Sequence, residues 1–464
     1  MPKVAFYTLG CKVNFYDTEA IWQLFRQAGY EQVDFDGEIA DVYVINTCTV
    51  TNTGDKKSRQ IIRRAVRKNP EAVVCVTGCY AQTAPAEVAA IEGVDLVIGT
   101  HDRSRIVEYV EQIRRTREPV NAVRNIMKLR EFEELDVPEF SGRTRAFLKI
   151  QDGCNNFCTF CIIPWARGLS RSRRPENVLA QARRLVEAGY REIVLTGIHT
   201  GGYGEDLDGY GLADLVRDLV RIDGLRRLRI SSIEASQVDD RLLEAIATSD
   251  KLCRHLHIPL QAGDDEILRR MRRKYTTEEY ARRLERIRRA IPDVAVTTDV
   301  IAGFPGETEE RFENGLAFIE SMAFAGMHVF PYSKRTGTPA ARMPDQVDEE
   351  TKHARVRRLI ALSDRMRFDY ARRFVGRVLD VIAERGSADA GKPGVLSGYS
   401  DNYLPVAFEG PDEWIGRVCR VRVTAVGADE CRGECVGVED ESSAKATAGS
   451  GEPFAPVSAA MAGA

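Results

Sequence analysis

Two successive series of short apolar runs, each run separated from the next by an amphipathic stretch, restrict this chain more than any other feature. In the first, Val4-Ala5-Phe6-Tyr7, Val42-Tyr43-Val44-Ile45, Val73-Val74-Cys75-Val76 and Leu96-Val97-Ile98 alternate with helical patterns such as 15–28 and 55–68. A βα repeat of this kind predicts parallel strands covered by helices on both faces, with the loops that follow the strands gathered along one edge. The second series comprises Phe147-Leu148-Lys149-Ile150, Glu192-Ile193-Val194-Leu195, Leu228-Arg229-Ile230, His255-Leu256-His257-Ile258, Val296-Thr297-Thr298-Asp299-Val300-Ile301 and Met327-His328-Val329-Phe330. Six strands fall short of the eight that close a barrel of this type, so an open, partial (β/α)6 barrel is expected, again working at its carboxyl edge. The stretch 345–375 is charged and helical in pattern, a connection. After Gly376 come short alternating strands, 377–382 and 418–423, between Gly and Pro turns, which predict a small all-β barrel. The expected fold is α/β overall. It divides into a parallel-sheet domain over 1–120, a partial barrel over 140–370, an all-β domain over 373–438, and a tail over 439–464 whose Ala, Ser, Gly and Glu predict disorder.

A length of 464 residues suits about three domains at roughly 150 residues each. The 44% apolar and 29% charged composition supports packed cores. A net charge of −3 exerts no global pull on nucleic acid, so any RNA contact must rest on local basic surface. The opening residues lack the pattern of a secretory signal, and no run approaches the roughly 18 apolar residues of a membrane span. A cytoplasmic protein without membrane association is expected. In that reducing compartment, the 11 cysteines point to metal binding or catalysis and not to a disulfide framework.

Two groups of cysteines follow predicted strands. Cys154, Cys158 and Cys161, spaced C-x3-C-x2-C, come directly after the first strand of the second series. Three thiolates at this spacing can hold three irons of a cubane and leave the fourth iron open to a cofactor, whereas a structural zinc site needs a closed set of four ligands. Cys11, Cys48 and Cys79 are 37 and 31 residues apart, yet each follows a strand of the first series, so one sheet edge can bring them together as a second trio. Ordinary turn cysteines are the alternative reading. Cys75 lies inside its strand as a small buried apolar residue, and Cys431 and Cys435 lack further ligands and are structural.

The two trios, in this order, resemble the radical S-adenosylmethionine methylthiotransferase family over nearly the whole chain. The resemblance implies two 4Fe–4S clusters and S-adenosyl-L-methionine as cofactors. The central trio would hold the cluster that cleaves this cofactor to a 5′-deoxyadenosyl radical, and the N-terminal trio the cluster that carries or relays sulfur. The terminal β domain resembles the TRAM RNA-binding module, with Tyr399, Asn402 and Tyr403 in a loop suited to base stacking and phosphate contact.

Further site residues carry weaker signals. Thr196 and Gly197, in the loop Thr196-Gly197-Ile198-His199-Thr200-Gly201-Gly202, stand where backbone can approach the cofactor's amino group, or form a simple turn. Glu234, Gln261 and Gly303 follow the third, fourth and fifth barrel strands, where ribose or adenine contacts and ordinary turns or caps are both readings. His199, His255 and His257 fit structural histidines or proton transfer. Arg167, Lys334 and Arg335 are placed at the barrel mouth, where they would hold an anionic substrate group, and the run 269–274 reads as a solvated basic helix face. Branches of the family act on isopentenyladenosine in tRNA, on threonylcarbamoyladenosine in tRNA, or on a ribosomal-protein aspartate. The phrases Gly10-Cys11-Lys12-Val13-Asn14, Asn46-Thr47-Cys48-Thr49-Val50 and Pro331-Tyr332-Ser333-Lys334-Arg335-Thr336 look most like the threonylcarbamoyl branch. That resemblance implies tRNA carrying threonylcarbamoyladenosine as partner, and a low-potential electron donor such as flavodoxin or ferredoxin. A carboxylate on that substrate gives Lys334 or Arg335 a target. A non-catalytic iron–sulfur RNA-binding or electron-relay protein is the reading from a different class.

Overall fold

The computed structural model describes residues 1–140, 144–385 and 394–439. Its first 121 residues build an all-parallel sheet in the order β2-β1-β3-β4-β5-β6. The strands are β1 (Lys3–Thr8), β2 (Glu31–Val33), β3 (Val42–Thr47), β4 (Val73–Gly78), β5 (Leu96–Val97) and β6 (Val120–Asn121). Every residue of β3 and β4 is buried, as expected of central strands with helices on both faces. Ala5, Tyr43, Ile45, Val74 and Val76 pack with Ile62 and Ala65 on one face. Val4, Val44 and Cys75 pack with Ile21, Phe25 and Val110 on the other. Because β2 and β3 flank β1, the chain direction reverses between β1 and β3, and a crevice opens beyond their carboxyl ends. Helix α1 (Lys12–Gln27) leaves β1 and α2 (Asn52–Lys68) leaves β3, the latter capped by Thr51 Oγ1, which accepts from Gly54 N at 3.1 Å. The short α3 (Cys79–Thr83) starts directly at the end of β4.

The second unit holds β7 (Arg145–Lys149), a small ribbon of β8 (Gln151–Asp152) and β9 (Arg171–Ser172), then β10 (Glu192–Thr196), β11 (Arg227–Ile230), β12 (His255–His257), β13 (Ala295–Ala302) and β14 (Gly326–Pro331). Parallel pairing gives two three-stranded sheets, β11-β10-β7 and β12-β13-β14, which the Ser232–His257 and Leu228–Leu252 bridges join into one half-open barrel. All six anticipated strands are present. Leu148, Ile193, Leu195, Leu228, Leu256, Val296 and Val300 meet the surrounding helices in the largest apolar core. The charged stretch after 345 is one long helix, Glu349–Arg372, that packs on β13 and β14.

The third unit, β15 (Val378–Arg385), β16 (Val395–Ser400), β17 (Pro405–Glu409), β18 (Val418–Val426) and β19 (Cys431–Val438), closes into a barrel in the order β15-β16-β17-β19-β18. It is docked against the partial barrel. Arg227 and Arg229 donate to the carbonyls of Tyr399, Asp401 and Ser400 at 2.9–3.1 Å, and Arg145 pairs with Glu384 at 2.8 Å. Among the described residues no helix is long and apolar enough to cross a membrane. The tail expectation from 439 falls on residues 440–464, outside the described residues.

Candidate active site at the domain seam

The sulfur-bearing loops of the first unit are tied together by backbone-directed side chains. Asn14 donates to the Leu9 carbonyl at 2.7 Å and the Thr47 carbonyl at 3.1 Å, which joins the Cys11 loop to the end of β3. Thr47 Oγ1 donates to the Thr77 carbonyl at 2.6 Å, which joins β3 to β4 just before Cys79. Cys11, Cys48 and Cys79 thereby converge at the crevice. Burial first, then the neighbouring Cys79 thiol, pushes Cys48 up to about 12, and Cys11 raises Cys79 as well. Gly10 allows the approach: with φ +108°, a Cβ there would stand 3.2 Å from Cys48 Sγ. Gly78, at φ +96°, has no room for a Cβ against the Thr47 carbonyl and the Asn46 side chain. Gly78→Ala should therefore dislodge Cys79 and lower the iron and sulfide content of the reconstituted protein by about half. A full complement in that variant would refute this account of the loop.

The second trio lies in the loop after β7. Cys154 N donates to the Gly168 carbonyl at 3.0 Å, Cys161 N to the Cys158 carbonyl at 3.0 Å, and Thr159 Oγ1 to the Arg270 carbonyl at 2.8 Å. Burial first, then Cys158, pushes Cys161 up to about 12, and Cys154 rises to about 11 for the same two causes, partly offset by an N–H from Asn156.

Thiols held this high stay protonated at neutral pH unless a metal takes the sulfur, because coordination deprotonates a thiol outright. Each trio also has a buried arginine aimed at one sulfur. Arg167 Nε lies 3.4 Å from Cys79 Sγ, and Arg273 Nη1 lies 3.4 Å from Cys158 Sγ. All six cysteines are free of disulfides. Neither trio is close enough, among the described residues, to be a single-ion site. A cubane differs in that each thiolate binds a separate iron. The donor set fits iron–sulfur clusters.

The seam itself runs between the carboxyl edge of the first sheet and the mouth of the partial barrel. Asp17 of α1 accepts from Lys149 at 2.9 Å and Arg167 at 2.8 Å, and Asp55 of α2 pairs with Arg335 at 2.7 Å. The two trios therefore belong to one seam although 143 positions separate Cys11 from Cys154.

A partial barrel with an open-coordination cysteine loop, capped by a parallel sheet with its own trio, defines a two-cluster radical enzyme. Residues 148–319 match the Radical SAM superfamily, 3–99 match the family described as "Uncharacterized protein family UPF0004", and 372–436 match the TRAM domain. The chain is 60% identical to "Threonylcarbamoyladenosine tRNA methylthiotransferase MtaB" of Bacillus subtilis (strain 168), over 95% of this chain and 98% of that one. It is 40% identical to the protein of the same name from Aquifex aeolicus (strain VF5), over 91% and 100%. With "tRNA-2-methylthio-N(6)-dimethylallyladenosine synthase" of Desulfitobacterium hafniense (strain Y51) the identity is 36%, over 93% and 97%. The chain belongs to the radical SAM methylthiotransferase family. Among solved structures, the radical S-adenosylmethionine methyltransferase TsrM from Kitasatospora setae shares the fold, with TM-score 0.53 and 17% identity over 86% of this chain and 78% of that one.

Several residues expected at the substrate are committed elsewhere. Arg167 is fully buried and held by Asp17, Asp152 and Asn14, so it braces the seam and has no face for a substrate anion. Arg335 is buried against Asn52, Asp55 and Thr49. Of that pair only Lys334 is exposed. Asn402 is buried and donates to Tyr370 Oη at 3.0 Å, and Tyr403 stacks on His255 and on Tyr399 with centroids 4.4 and 4.5 Å apart. The 399–403 loop thus plugs the partial barrel and presents no open stacking surface for RNA.

Among the cofactor candidates, Glu234 pairs with Arg273 beside Cys158, which places it next to the central trio. Gln261 is anchored to β13 through its backbone, and Gly303 N donates to Glu307 Oε2 at 2.6 Å. Thr196 is buried with its hydroxyl on the Val194 carbonyl, and Gly197 packs against Gln151. Arg273 was hidden in the run 269–274, where an inward arginine reads like its solvated neighbours. Arg420 and Arg422 also escaped notice. They alternate outward along β18 and are exposed, and the period of two in Arg420-Val421-Arg422-Val423 was the available signal.

Proposed function

We propose that this enzyme attaches a methylthio group to C2 of N6-threonylcarbamoyladenosine at position 37 of tRNA, giving 2-methylthio-N6-threonylcarbamoyladenosine. The observation that carries the reading is the convergence of two cysteine trios on one seam from two different sheet edges. Cys154, Cys158 and Cys161 would hold the 4Fe–4S cluster that binds S-adenosyl-L-methionine, and Cys11, Cys48 and Cys79 the second cluster. When bound, these groups supply the electron and the radical that activate an aromatic C–H bond, together with a sulfur source. The chain's own contribution is placement. Arg167 and Arg273 each set a charge beside one sulfur, and the Asn14 and Thr47 ties keep the three N-terminal loops in register. Glu234, Gln261 and Gly303 are positioned at the barrel mouth for the cofactor's ribose and adenine.

The substrate assignment rests on the 60% identity to the Bacillus relative over nearly full length. Exposed Arg420 and Arg422, with Arg432 on the neighbouring strand, give the β barrel a cationic outer face for the phosphate backbone. We place the reaction in the cytoplasm, with flavodoxin or ferredoxin as reductant. Anaerobic turnover with reductant, S-adenosyl-L-methionine and tRNA carrying either modified adenosine, followed by nucleoside mass spectrometry, tests the reading. A methylthio increment on threonylcarbamoyladenosine alone is expected. An increment on isopentenyladenosine alone would keep the chemistry and reject the substrate.

A further inference from the structure

A polar shelf inside the partial barrel takes no part in holding either cysteine trio. Pairing sets His257 of β12 opposite Thr297 of β13, and Asp299 of β13 opposite His328 of β14. Val296, Val300 and Ala302, which alternate with these β13 positions, pack in the outer core, so Thr297 and Asp299 face the other way, toward the lumen. A continuous hydrogen-bond chain results. His255 Nε2 and His257 Nδ1 both lie 3.0 Å from Thr297 Oγ1, His257 Nε2 lies 3.2 Å from Asp299 Oδ2, and His328 Nδ1 lies 3.0 Å from Asp299 Oδ1.

The tautomers follow from the carboxylate. Burial pushes Asp299 up, but the two imidazole donors outweigh it and hold the group well below the usual carboxylate range. An ionised carboxylate only accepts, so His257 Nε2 and His328 Nδ1 carry the protons. The His328 ring is thereby fixed in orientation, and its Nε2 is left facing the open side, with the side chain 65% exposed. The opposite end of the chain is also unsatisfied: buried His255 Nδ1 has no hydrogen-bond partner.

The charge balance at this place is positive. Both Asp299 oxygens are already engaged, and Glu192, farther down the lumen, is taken by Arg229. Lys12, the first residue of α1 beside Cys11, has no salt-bridge partner among the described residues. It lies near enough to the shelf to help lower His255, after burial and alongside Arg229, His257 and His328. An unpaired ammonium and an anchored imidazole on the same open space, next to one of the sulfur trios, suit an anionic ligand group and disfavour an apolar one.

We propose that Lys12 and His328 form the site for the carboxylate of the substrate's N6 substituent, with Asp299 as the positioning residue that holds the His328 ring. The inference rests on the reading that threonylcarbamoyladenosine is the substrate, and it moves carboxylate recognition from Arg335 to the barrel lumen. The nearest competing use of these side chains is a divalent ion, since the ligand atoms of His257, Asp299 and His328 lie within 4.8 Å of one another. Two features argue against it: both carboxylate oxygens already accept from imidazoles, and Lys12 would repel a dication.

The test uses the full chain with both clusters reconstituted and two tRNA substrates, one native and one whose threonyl carboxylate has been converted to a methylamide. Loss of a charge-assisted pair should raise the wild-type KM for the amide roughly tenfold or more, with kcat changed less than about threefold. His328→Gln and Lys12→Gln should raise KM for the native substrate to a similar degree, yet add little on the amide, because each then removes an interaction already lost. Asp299→Asn should move KM in the same direction. Iron content and the visible spectrum of each variant report whether the clusters are intact. Penalties that multiply, so that the variants weaken both substrates equally, would overturn the site while leaving the substrate assignment in place. Absence of wild-type turnover on native tRNA would overturn the assignment and this site with it. Zinc or iron beyond the cluster complement that disappears in His328→Gln would identify a metal site instead and overturn the proposal.

Discussion

Replacing Cys158 with alanine is expected to abolish formation of 5′-deoxyadenosine and of the methylthiolated nucleoside together, whereas replacing Cys79 should abolish only the second. The asymmetry follows from where each sulfur sits. Cys158 is the buried middle member of the loop after β7, beside Arg273, and its trio leaves one coordination position open for S-adenosyl-L-methionine. Without Cys158 no binding mode for that cofactor survives. Cys79 starts α3 in a different unit, tied to its own arginine, and nothing in the β7 loop hydrogen-bonds to it. Losing Cys79 should therefore halve the iron but leave reductive cleavage of S-adenosyl-L-methionine in place. Chromatography of 5′-deoxyadenosine and mass spectrometry of the digested tRNA separate the two outcomes. Wild-type levels of methylthiolation in Cys79→Ala would show that the N-terminal trio is not part of the chemistry.

The parts of this arrangement that could be read in the sequence are those governed by local periodicity. Buried parallel strands such as β3, β4 and β13 are dense in β-branched residues and bounded by turns, so they stand out. A thiol directly after such a strand is at the sheet edge whatever the rest of the chain does. Edge elements were less visible. β2 has three residues and β6 two, and they exist because a neighbour offers a ladder and not because their own sequence demands extension. The long-range partners of charged residues were invisible. An arginine in a glycine-bounded loop has the same local pattern whether it faces solvent or, like Arg167, a carboxylate 150 positions away. The same holds for Arg335 and Asp55, 280 positions apart, and for Asn402, which the docking of the β barrel buries. The polar shelf was partly legible: His255 and His257, and Thr297 and Asp299, are spaced by two on strands whose other residues are apolar. Only the strand register shows that they join.

The same long-range pairing sets the largest expected effect on stability. Asp17 lies at the centre of a buried cluster, about 1% exposed, in contact with Arg103, Lys149 and Arg167, while Asp152 accepts from Lys149 at 2.7 Å and Arg167 at 3.3 Å. Such a cluster is tolerable because each cation is matched. Asp17→Asn removes the one carboxylate shared by all three, and leaves buried positive charge between the first sheet and the barrel at a cost of about 3–5 kcal/mol. Arg167 would then lose its main anchor, and with it the geometry beside Cys79, so sulfur transfer should fall together with the unfolding midpoint in urea. The pH dependence gives an independent sign. Burial pushes Asp17 up, but Arg103, Lys149 and Arg167 outweigh it and hold the carboxyl well below its ordinary value of 3.8. A carboxyl with a depressed folded-state value contributes stability that is complete above the unfolded value and is lost as pH falls through the folded one. The wild-type advantage over Asp17→Asn should therefore be constant from neutral pH down to about 4 and shrink only below it. A variant that unfolds within about 1 kcal/mol of wild type at pH 7 would mean that water enters the seam and solvates these charges, and that the two units are held together by something other than this cluster.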